Sequence, residues 1–405
     1  MKKRLSSILF FTGLSAVIPL SAHAAMISVD CTNSPPGALA TALASAGEGT
    51  TLVVSGVCND ALYINKNDIT ISGNNAVLSG FFPQDRIVID GAHRVILSGL
   101  SIEKGVMGIH ATNNASFQMS DVSLIGNVHG VVIDNGASGV FENNNHIARN
   151  FVFGLQVLNG SKLHITRSGD ADSMVEISDN TLGGQISINS SLFVTENAKV
   201  NVHSNRTIGL SVNTGSTGML FNASIHSHDN GRDGLDVVSN SNFEIDGDSE
   251  VISENNGREG ISIDNAAMNL FGFFARESGF PRITARNNAG TGVLVESTSK
   301  LDIGQNASIR ANNNVKAGVM LDDGSSAILQ RSDINGNRGT VDPMNMHRHD
   351  EASEKVFNAD VIVTFGSRIT FRTDPDNGGT VAGNDIGKAF CDRTSLSRGD
   401  VRCRY

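Results

Sequence analysis

The stretch "NGRDGLDVVSN" (Asn230–Asn240) recurs one step later as "NGREGISIDN" (Asn256–Asn265). Each copy places Asn, Gly, Arg and an acidic residue before a glycine, and alternating aliphatic and polar residues after it. From Gly234 to Gly260 the pattern advances by 26 residues. Alternation over so few residues predicts a short strand with one apolar face, and a repeat of this length predicts a solenoid.

The same glycine-aliphatic step runs through most of the chain. It occurs at Gly130, Gly154, Gly184, Gly209, Gly234, Gly260, Gly292 and Gly318, where Gly184 is slipped by one residue relative to the others. Two more short strands lie between successive glycines, for example "SKLHI" (161–165) and "MVEISDN" (174–180). Three strands per turn of roughly 22–26 residues are typical of a parallel β-solenoid.

Stacked coils of this kind bury one aliphatic ladder per strand. We expect the core to include Leu210, Val212, Leu235, Val237, Ile261, Ile263, Val293 and Val295. An asparagine closes each coil, and we expect these residues to adopt a left-handed φ and to hydrogen-bond to the next coil. They are Asn150, Asn180, Asn205, Asn230 and Asn314.

The Asn-x3-Gly-aliphatic-x-aliphatic signature resembles the right-handed parallel β-helices of the pectate-lyase and polygalacturonase superfamily. It is most similar to secreted bacterial proteins known only as right-handed β-helix repeats, over roughly Thr51 to Gly383. The resemblance implies an all-β, right-handed parallel β-helix of about 9–11 coils with a short N-terminal capping helix. Since one fold hosts many functions, it implies an architecture and no reaction.

The N-terminus predicts export. "MKKRLSS" is basic, "ILFFTGLSAVIPL" is apolar but too short to span a bilayer, and Ala22-His23-Ala24 fits cleavage after Ala24. We therefore divide the chain into a signal peptide (1–24), an N-terminal cap (25–50), the β-helix (51–385) and a disulfide-closed C-terminal cap (386–405). The mature protein is expected to be secreted or periplasmic, without a membrane span.

Four cysteines lie in two groups near the ends of the chain. Three connectivities are possible, and pairing within each group is favoured because it closes the shortest loops. This predicts the bridges Cys31–Cys58 and Cys391–Cys403. Near the first pair, "PPGALATALASAGEG" (35–49) predicts a helix that ends at Gly47 or Gly49 and packs Leu39 and Leu43 over the first coil.

Composition excludes some partners. The formal net charge is −10, and removal of Lys2, Lys3 and Arg4 with the signal peptide leaves 28 basic and 41 acidic residues, or −13. That balance disfavours nucleic acid. The chain has no Trp and two Tyr, which disfavours a tight sugar cleft built from broad aromatic faces.

Three insertions interrupt the coils, at 167–173, 272–281 and 338–360. The last contains "HRHD" (His347–Asp350), which echoes "HSHD" (His226–Asp229). His-x-His in a strand would point both imidazoles the same way, but no third ligand follows at a fixed spacing. We interpret both motifs as solvated loops and predict no metal or other cofactor; calcium is not supported by a motif.

The opening repeat supplies the candidate site. Equivalent positions of adjacent coils would stack Arg232 over Arg258 and Asp233 over Glu259, and two carboxylates so close can divide acid and base roles. We assign Asp233, Asp236 and Glu259 as candidate catalytic residues. Arg232, Arg258 and His228, which we place in the turn before the strand, are the candidate substrate-binding residues. The alternative is that these charges form weak surface ion pairs.

Family motifs match only in part. Polygalacturonases place acids just before and just after the glycine-aliphatic strand, and Asp233 and Asp236 match those positions. Arg232 replaces a small residue, and neither the Asp-Asp nor the Gly-His-Gly step occurs in the right coil. The Asp-Pro-His-Asp motif of some alginate epimerases and lyases is broken here into Asp342-Pro343 and His349-Asp350.

The passenger domain of an autotransporter is disfavoured as a function, because the 405 residues leave little room for a membrane barrel after the repeats. Two functions are preferred as hypotheses. The first is binding of an acidic polysaccharide or cell-surface glycan, with cleavage or epimerisation by a lyase, hydrolase or uronate epimerase activity. The second is a non-catalytic surface, adhesion or structural solenoid. The sequence does not decide between an enzyme and a scaffold.

Overall fold

The structure is a computed structural model, and it describes residues 25–80, 83–168, 174–272, 279–304, 306–338, 359–371, 385–386, 388–391 and 396–398. Over these residues the chain forms one short helix and 38 strands, with parallel pairing between successive coils. The predicted signal peptide, Cys403, the "HRHD" motif and most of the three insertions lie outside the described residues.

The first of three strand ladders, sheet 1, contains thirteen strands, one from each described coil. They are β3 (Leu62–Ile64), β5 (Ile87–Asp90), β7 (Met107–Thr112), β10 (His129–Ile133), β13 (Phe153–Val157), β16 (Leu182–Ile186), β19 (Leu210–Val212), β22 (Leu235–Val238), β25 (Ile261–Asp264), β28 (Val293–Glu296), β31 (Val319–Leu321), β34 (Val361–Val363) and β37 (Ala389–Cys391). Thirteen coils exceed the 9–11 expected, because coils at both ends lack the Asn-x3-Gly signature.

The other two ladders, sheets 2 and 3, share four strands at the N-terminal end, most of them long, and separate after them. The shared strands are β1 (Met26–Asp30), β2 (Thr51–Cys58), β4 (Thr70–Leu78) and β6 (Val95–Glu103). Sheet 2 continues with β8 (Ser116–Ser120), β11 (Ser138–Glu142), β14 (Lys162–Ile165), β17 (Ser191–Thr195), β20 (Thr217–Phe221), β23 (Asn242–Asp246), β26 (Ala267–Phe271), β29 (Lys300–Ile303), β32 (Ser326–Leu329), β35 (Arg368–Phe371) and β38 (Leu396–Arg398). Sheet 3 continues with β9 (Ser123–Ile125), β12 (Asn145–Ala148), β15 (Met174–Ser178), β18 (Lys199–His203), β21 (Ser224–His228), β24 (Glu250–Glu254), β27 (Arg282–Arg286), β30 (Ser308–Asn312), β33 (Ser332–Ile334) and β36 (Asp385–Ile386).

The core is the inside of the coil, where the aliphatic ladders meet. All eight predicted core residues are at most 1% exposed, and they lie in register from strand to strand, as Leu235 does between Leu210 and Ile261. Alternate residues of each strand point outward. The predicted core and its register are therefore confirmed.

A buried ladder of asparagines holds the turn between sheets 3 and 1. From Asn127 to Asn314, the backbone N–H and the side-chain Nδ2 of each ladder asparagine donate to the Oδ1 of the asparagine in the next coil, as from Asn205 to Asn230 (3.2 and 3.0 Å) and from Asn230 to Asn256 (3.1 and 3.0 Å). The predicted inter-coil hydrogen bonds are confirmed. The predicted left-handed φ is wrong by one residue: it belongs to the preceding residue, such as Ser204 (φ 55°) or Asp229 (φ 54°).

Glycine is required where sheet 1 begins because the backbones of adjacent coils approach closely. A Cβ on Gly234 would lie 2.7 Å from the carbonyl oxygen of Gly260 and 2.1 Å from Ser253 Oγ. Gly183 occupies the same position in its own coil: a Cβ added there would lie 2.3 Å from the carbonyl oxygen of Gly209. Gly183 therefore occupies the position predicted for Gly184, and Gly184 takes an inward-facing core position opposite Leu210.

The N-terminal end is closed by helix α1 (Ala38–Ser45), and Leu39 and Leu43 are buried against the core as predicted. The helix ends before Gly47. Lys66 Nζ donates to the carbonyl oxygens of Ala44 and Ala46, each at 2.7 Å, and so satisfies C-terminal carbonyls without a glycine cap.

The predicted Cys31–Cys58 disulfide is present and brackets the helix. The Cys391–Cys403 pairing stays a prediction, since Cys403 is outside the described residues. A disulfide is typical of an extracytoplasmic protein. Across the described ranges, no helix has the length and apolar character needed to cross a membrane.

Candidate functional site

The charged residues of the opening repeat lie in the turns that lead from sheet 3 into sheet 1. Arg258 N donates to the carbonyl of Arg232 (3.0 Å), and Gly234 N donates to the carbonyl of Glu259 (3.1 Å), so the two turns stack in register. Arg232 lies over Arg258 and Asp233 over Glu259, as the spacing predicted. Asp236 follows on the outward side of β22.

Two buried serines brace these two turns. Ser227 Oγ donates to the carbonyl of Gly234 (2.7 Å) and accepts from Asn230 Nδ2 (3.1 Å). Ser253 repeats the arrangement one coil later, with the carbonyl of Gly260 at 2.6 Å. Neighbouring described coils have an aliphatic residue or alanine three positions before the ladder asparagine. The turns that carry the Arg-acid steps are thus fixed by hydrogen bonds that the neighbouring turns lack.

Asp233 and Glu259 form a buried carboxyl pair, 4% and 3% exposed. Glu259 N donates to Asp233 Oδ1 (3.1 Å), and the two side chains are hydrogen-bonded to each other. Burial, together with the hydrogen bond and the charge of Glu259, raises the pKa of Asp233 to about 6. Burial opposes ionisation of Glu259 too, but the hydrogen bond from Asp233 and the charges of Lys316 and Arg258 outweigh it and lower its pKa. The pair therefore takes up its first proton near pH 6.

Three cations surround the pair. Arg258 Nε lies 3.2 Å from Glu259 Oε2 and 3.9 Å from Asp233 Oδ1, and Arg232 Nη2 lies 3.9 Å from Asp233 Oδ2. Lys316 Nζ reaches Glu259 Oε1 at 3.7 Å from two coils away. The coil between them has Gly290, where a Cβ would lie 2.9 Å from Glu259 Oε1. The ion pairs that the alternative predicts are present, but they join buried acids to partly exposed cations.

Asp236 is a separate, less compensated carboxyl. It points outward in register with Ser211 and Ser262, yet it is only 8% exposed. Burial, and then the charge of Asp233, raise its pKa to about 8 against the opposing charges of nearby arginines. Asp236 Oδ1 is buried and accepts no hydrogen bond from the described part of the chain; Glu259 Oε2 accepts none there either, although Arg258 Nε is its ion-pair partner at 3.2 Å. Buried unpaired acceptors of this kind are uncommon and mark places where a ligand or water can donate.

A row of acids borders the site on its other side. Asp264 and Glu296 are register partners, and Asp322 occupies the same position in the next coil, where Thr364 Oγ1 donates to it (3.0 Å). Burial, followed by the charges of Asp264 and Asp322, raises the pKa of Glu296 to about 7. Ser211, Asp236 and Ser262 form a column of outward-facing register partners. Cations line one edge of this column, and acids line the other.

His228 does not join this group. It ends strand β21 instead of lying in a turn, and its Nδ1 and Nε2 contact Asp229 Oδ2 (2.7 Å) and Asn201 Oδ1 (3.2 Å). No hydrogen bond or ion pair in the described structure connects it to Asp233, Asp236 or Glu259. The "HSHD" motif is therefore strand and not the solvated loop expected.

Four residues of the site were not predicted from the sequence, namely Lys316, Glu296, Ser227 and Ser253. Alignment of all coils by their ladder asparagines would have found them. In "NNVKAG", Lys316 occupies the position of Arg258, and both serines lie three residues before their asparagine. Glu296 ends its strand as Asp264 does.

No family model matches the chain, and no curated protein matches it. Among solved structures, the A-module of the Azotobacter vinelandii mannuronan C-5 epimerase AlgE6 is similar, with a TM-score of 0.52 at 12% identity over 89% of this chain and 94% of that chain. The chain has a right-handed parallel β-helix fold. A double mutant of the periplasmic alginate epimerase AlgG gives a TM-score of 0.43 (13% identity, 87% and 76% covered). Pectate lyase Pel9A gives 0.42 (12% identity, 81% of each chain). At these identities the likeness extends to the fold alone.

Proposed function

We propose that the protein is exported, binds an acidic polysaccharide across sheet 1 at the Arg232–Asp236 and Arg258–Glu259 turns, and acts on it as a uronate lyase or epimerase. The observation that carries this is the buried Asp233–Glu259 pair, held between three cations beside the outward-facing Asp236. Such a group combines anion binding with two carboxyls of different proton affinity. The similar epimerase module is consistent with this proposal but does not carry it.

The proposed chemistry is proton transfer at the carbon next to a uronate carboxylate. Arg232 and Arg258 bind that carboxylate and neutralise the negative charge that develops when the C5–H bond breaks. The ionised member of the Asp233–Glu259 pair takes the proton, and the electron pair remains on the sugar as an enolate. Asp236, protonated at neutral pH, returns a proton to C5 from the other face in epimerisation. In elimination it protonates the leaving glycosidic oxygen as the C4–O bond breaks.

The site has the two proton affinities that this scheme needs. A base must be ionised and an acid must be protonated at the same pH. Between about pH 6 and pH 8 the Asp233–Glu259 pair is ionised while Asp236 keeps its proton. We expect activity to be highest in that window.

The test is incubation of residues 25–405 in D2O with alginate, polygalacturonate and a glycosaminoglycan, with and without calcium. Nuclear magnetic resonance would report deuterium at C5, absorbance would report unsaturated ends, and a reducing-end assay would report hydrolysis. We expect deuterium or unsaturated ends with at least one uronate polymer, and loss of at least about 100-fold in Asp236→Asn and in Glu259→Gln. Glu244→Gln, an exposed carboxylate on sheet 2, is the matched control and should keep parental activity.

Binding is measured separately. Arg232→Ala with Arg258→Ala should abolish retention on the responsive polymer, whereas Arg310→Ala on sheet 3 should not. Retention by the parent without any chemistry would support the adhesion alternative. No retention of any polymer would contradict the proposal altogether.

A further inference from the structure

The turns that lead into sheet 1 are charged in only some of their coils. Arg232 N donates to the carbonyl of Thr207 (2.9 Å), and Thr207 N donates to the carbonyl of Thr181 (2.9 Å). Threonine therefore occupies the position of Arg232 in the two preceding coils. The guanidinium groups end where the coils of β19 and β16 begin.

The position of the buried acids changes in the same coils. Gly209 N donates to the carbonyl of Asp233 (2.9 Å), which makes Ile208 the equivalent of Asp233 one coil earlier. Leu182 and then Phe153 hold this position in the next two coils toward the N-terminus. All three side chains are half-buried. Apolar side chains thus replace the acids on the N-terminal side of the charged turns.

The outward-facing column of sheet 1 is uncharged over the same coils. Toward the N-terminus, Asp236 is followed in register by Ser211, Gln185 and Gln156. Gln156 Nε2 donates to Gln185 Oε1 (3.0 Å). The column therefore presents side-chain amides instead of a carboxyl group.

His129 connects the apolar row to this column. It is hydrogen-bonded to Gln156, and its ring stacks on that of Phe153 with centroids 5.6 Å apart and 13° between planes. Burial lowers the pKa of His129, so the ring is neutral at pH 7. We call the following six residues the neutral stretch: His129, Phe153, Gln156, Leu182, Gln185 and Ile208.

The neutral stretch suits an uncharged sugar unit. Aromatic and aliphatic side chains contact the apolar face of a sugar ring, and amides exchange hydrogen bonds with its hydroxyl groups. A carboxylate placed there would lose water without gaining a cation, which costs free energy. The side chains favour a neutral unit beside the uronate that we place over Asp236.

The column also disfavours a second uronate in the opposite direction. Ser262 is followed there by Leu294, which is apolar and partly exposed. Asp264 and Glu296 border these two positions. A carboxylate would meet like charge at this edge, which opposes binding. The arginines of the charged turns therefore serve one uronate and not its neighbours along the polymer.

We propose that the substrate is an acidic heteroglycan in which neutral sugar units flank the reacting uronate, and that the neutral stretch binds the unit on the N-terminal side. This substrate class rests on the proposed function, which places the uronate over Asp236. A homopolyuronate has a carboxylate on every unit, so it would place anions on both sides where no cation compensates them. Specificity then comes from repulsion as well as attraction.

The experiment is calorimetric titration of two oligosaccharides of equal length into residues 25–405 carrying Glu259→Gln, so that neither ligand is consumed. One is unsulfated chondroitin, in which glucuronate alternates with N-acetylgalactosamine, and the other is oligogalacturonate. We expect the chondroitin fragment to bind at least about 10-fold more tightly.

Two further substitutions test the neutral stretch itself. Thr207→Arg places a guanidinium one coil before Arg232, and it should raise the affinity for oligogalacturonate at least about 5-fold and that for chondroitin less than about 2-fold. Misfolding cannot mimic such a gain. Phe153→Ala should lower the affinity for chondroitin about 5-fold. Phe193→Ala, which truncates a half-buried phenylalanine on sheet 2, is the matched control and should not change it.

Arg206 provides the opposite check, because it is exposed and directly precedes Thr207. Arg206→Ala should leave both affinities unchanged. Equal affinities for the two ligands, a preference for oligogalacturonate, or oligogalacturonate binding that depends on Arg206 would overturn the heteroglycan and leave the proposed function standing. No binding of either ligand, together with no retention of any polymer by the parent, would contradict both.

Discussion

At the scale of single residues, Asp236 is the most unusual group in the described structure. It points away from the core, yet it is nearly as buried as a core residue, and Oδ1 lacks a hydrogen-bond donor. Desolvation of the carboxylate raises its pKa from 3.8 to about 8. A carboxyl group that is buried without a hydrogen-bond donor lowers the free energy of unfolding when it ionises.

Asp236→Asn should therefore stabilise the protein increasingly as the pH rises. The unfolded chain releases this proton near pH 4 and the folded chain near pH 8, so its contribution to the free energy of unfolding is lost across that window. The upper bound on the gain above pH 8 is about 6 kcal/mol. We expect the melting temperature of Asp236→Asn to equal that of the parent near pH 4 and to exceed it clearly at pH 9.

The control is Asp323→Asn, an exposed carboxyl at a loop tip. Its melting temperature should differ from that of the parent by the same small amount at every pH. If the melting temperatures of Asp236→Asn and the parent also differed by a constant amount at every pH, the pKa of Asp236 would not be raised in the folded protein.

At the scale of structural elements, the turn between sheets 3 and 1 determines where the charged residues project. Asn230 is 2% exposed and hydrogen-bonds at once to the coils on both sides. Its Nδ2 also donates to the carbonyl of Val202 (3.2 Å). The ladder satisfies the polar backbone groups of a buried turn, which an irregular turn would leave unpaired.

Asn230→Ala should destabilise the protein by about 2–4 kcal/mol, because it removes several buried hydrogen bonds, including the two that Asn205 N and Nδ2 donate to Asn230 Oδ1. Asn65→Ala is the matched control: Asn65 is exposed and should change stability by less than about 0.5 kcal/mol. Chemical unfolding monitored by circular dichroism would measure both. Equal effects would mean that the ladder is not a stabilising element.

The spacing of asparagines and glycines was sufficient to predict this element, its register and its core, because the period-2 alternation allows one buried face. It did not predict the left-handed residue before each asparagine, since Arg149, Ser204 and Asp229 share no side-chain signal. The predicted slip of Gly184 by one residue is confirmed, and the sequence did not show its cause. Two adjacent glycines offer the same freedom, and only the approach of Gly209 selects Gly183.

At the scale of the whole molecule, thirteen strands of sheet 1 at roughly 4.8 Å spacing give a column about 58 Å long. Along its outward side the charged turns occupy the middle coils. The repeat predicted that four charged residues lie side by side in adjacent coils, because a fixed repeat makes equivalent positions neighbours. They are Arg232, Asp233, Arg258 and Glu259.

Other features of the molecule could not be predicted in the same way. Burial of the acids depends on how the arginines and Lys316 fold over them across an intervening glycine. The position of His228 depends on where a strand ends. Contacts between non-equivalent positions of different coils, such as that of His203 with Glu176, can be identified only in the three-dimensional structure.

We expect an acidic glycan to bind at the charged turns of sheet 1. The most direct test is a crystal structure of Glu259→Gln soaked with an oligouronate that the parent retains. We expect the oligosaccharide to lie over Asp236, with a uronate carboxylate within hydrogen-bonding distance of the Arg232 or Arg258 guanidinium. An oligosaccharide bound on sheet 2 or sheet 3, or a sheet 1 surface that remains empty at saturating ligand, would contradict this expectation.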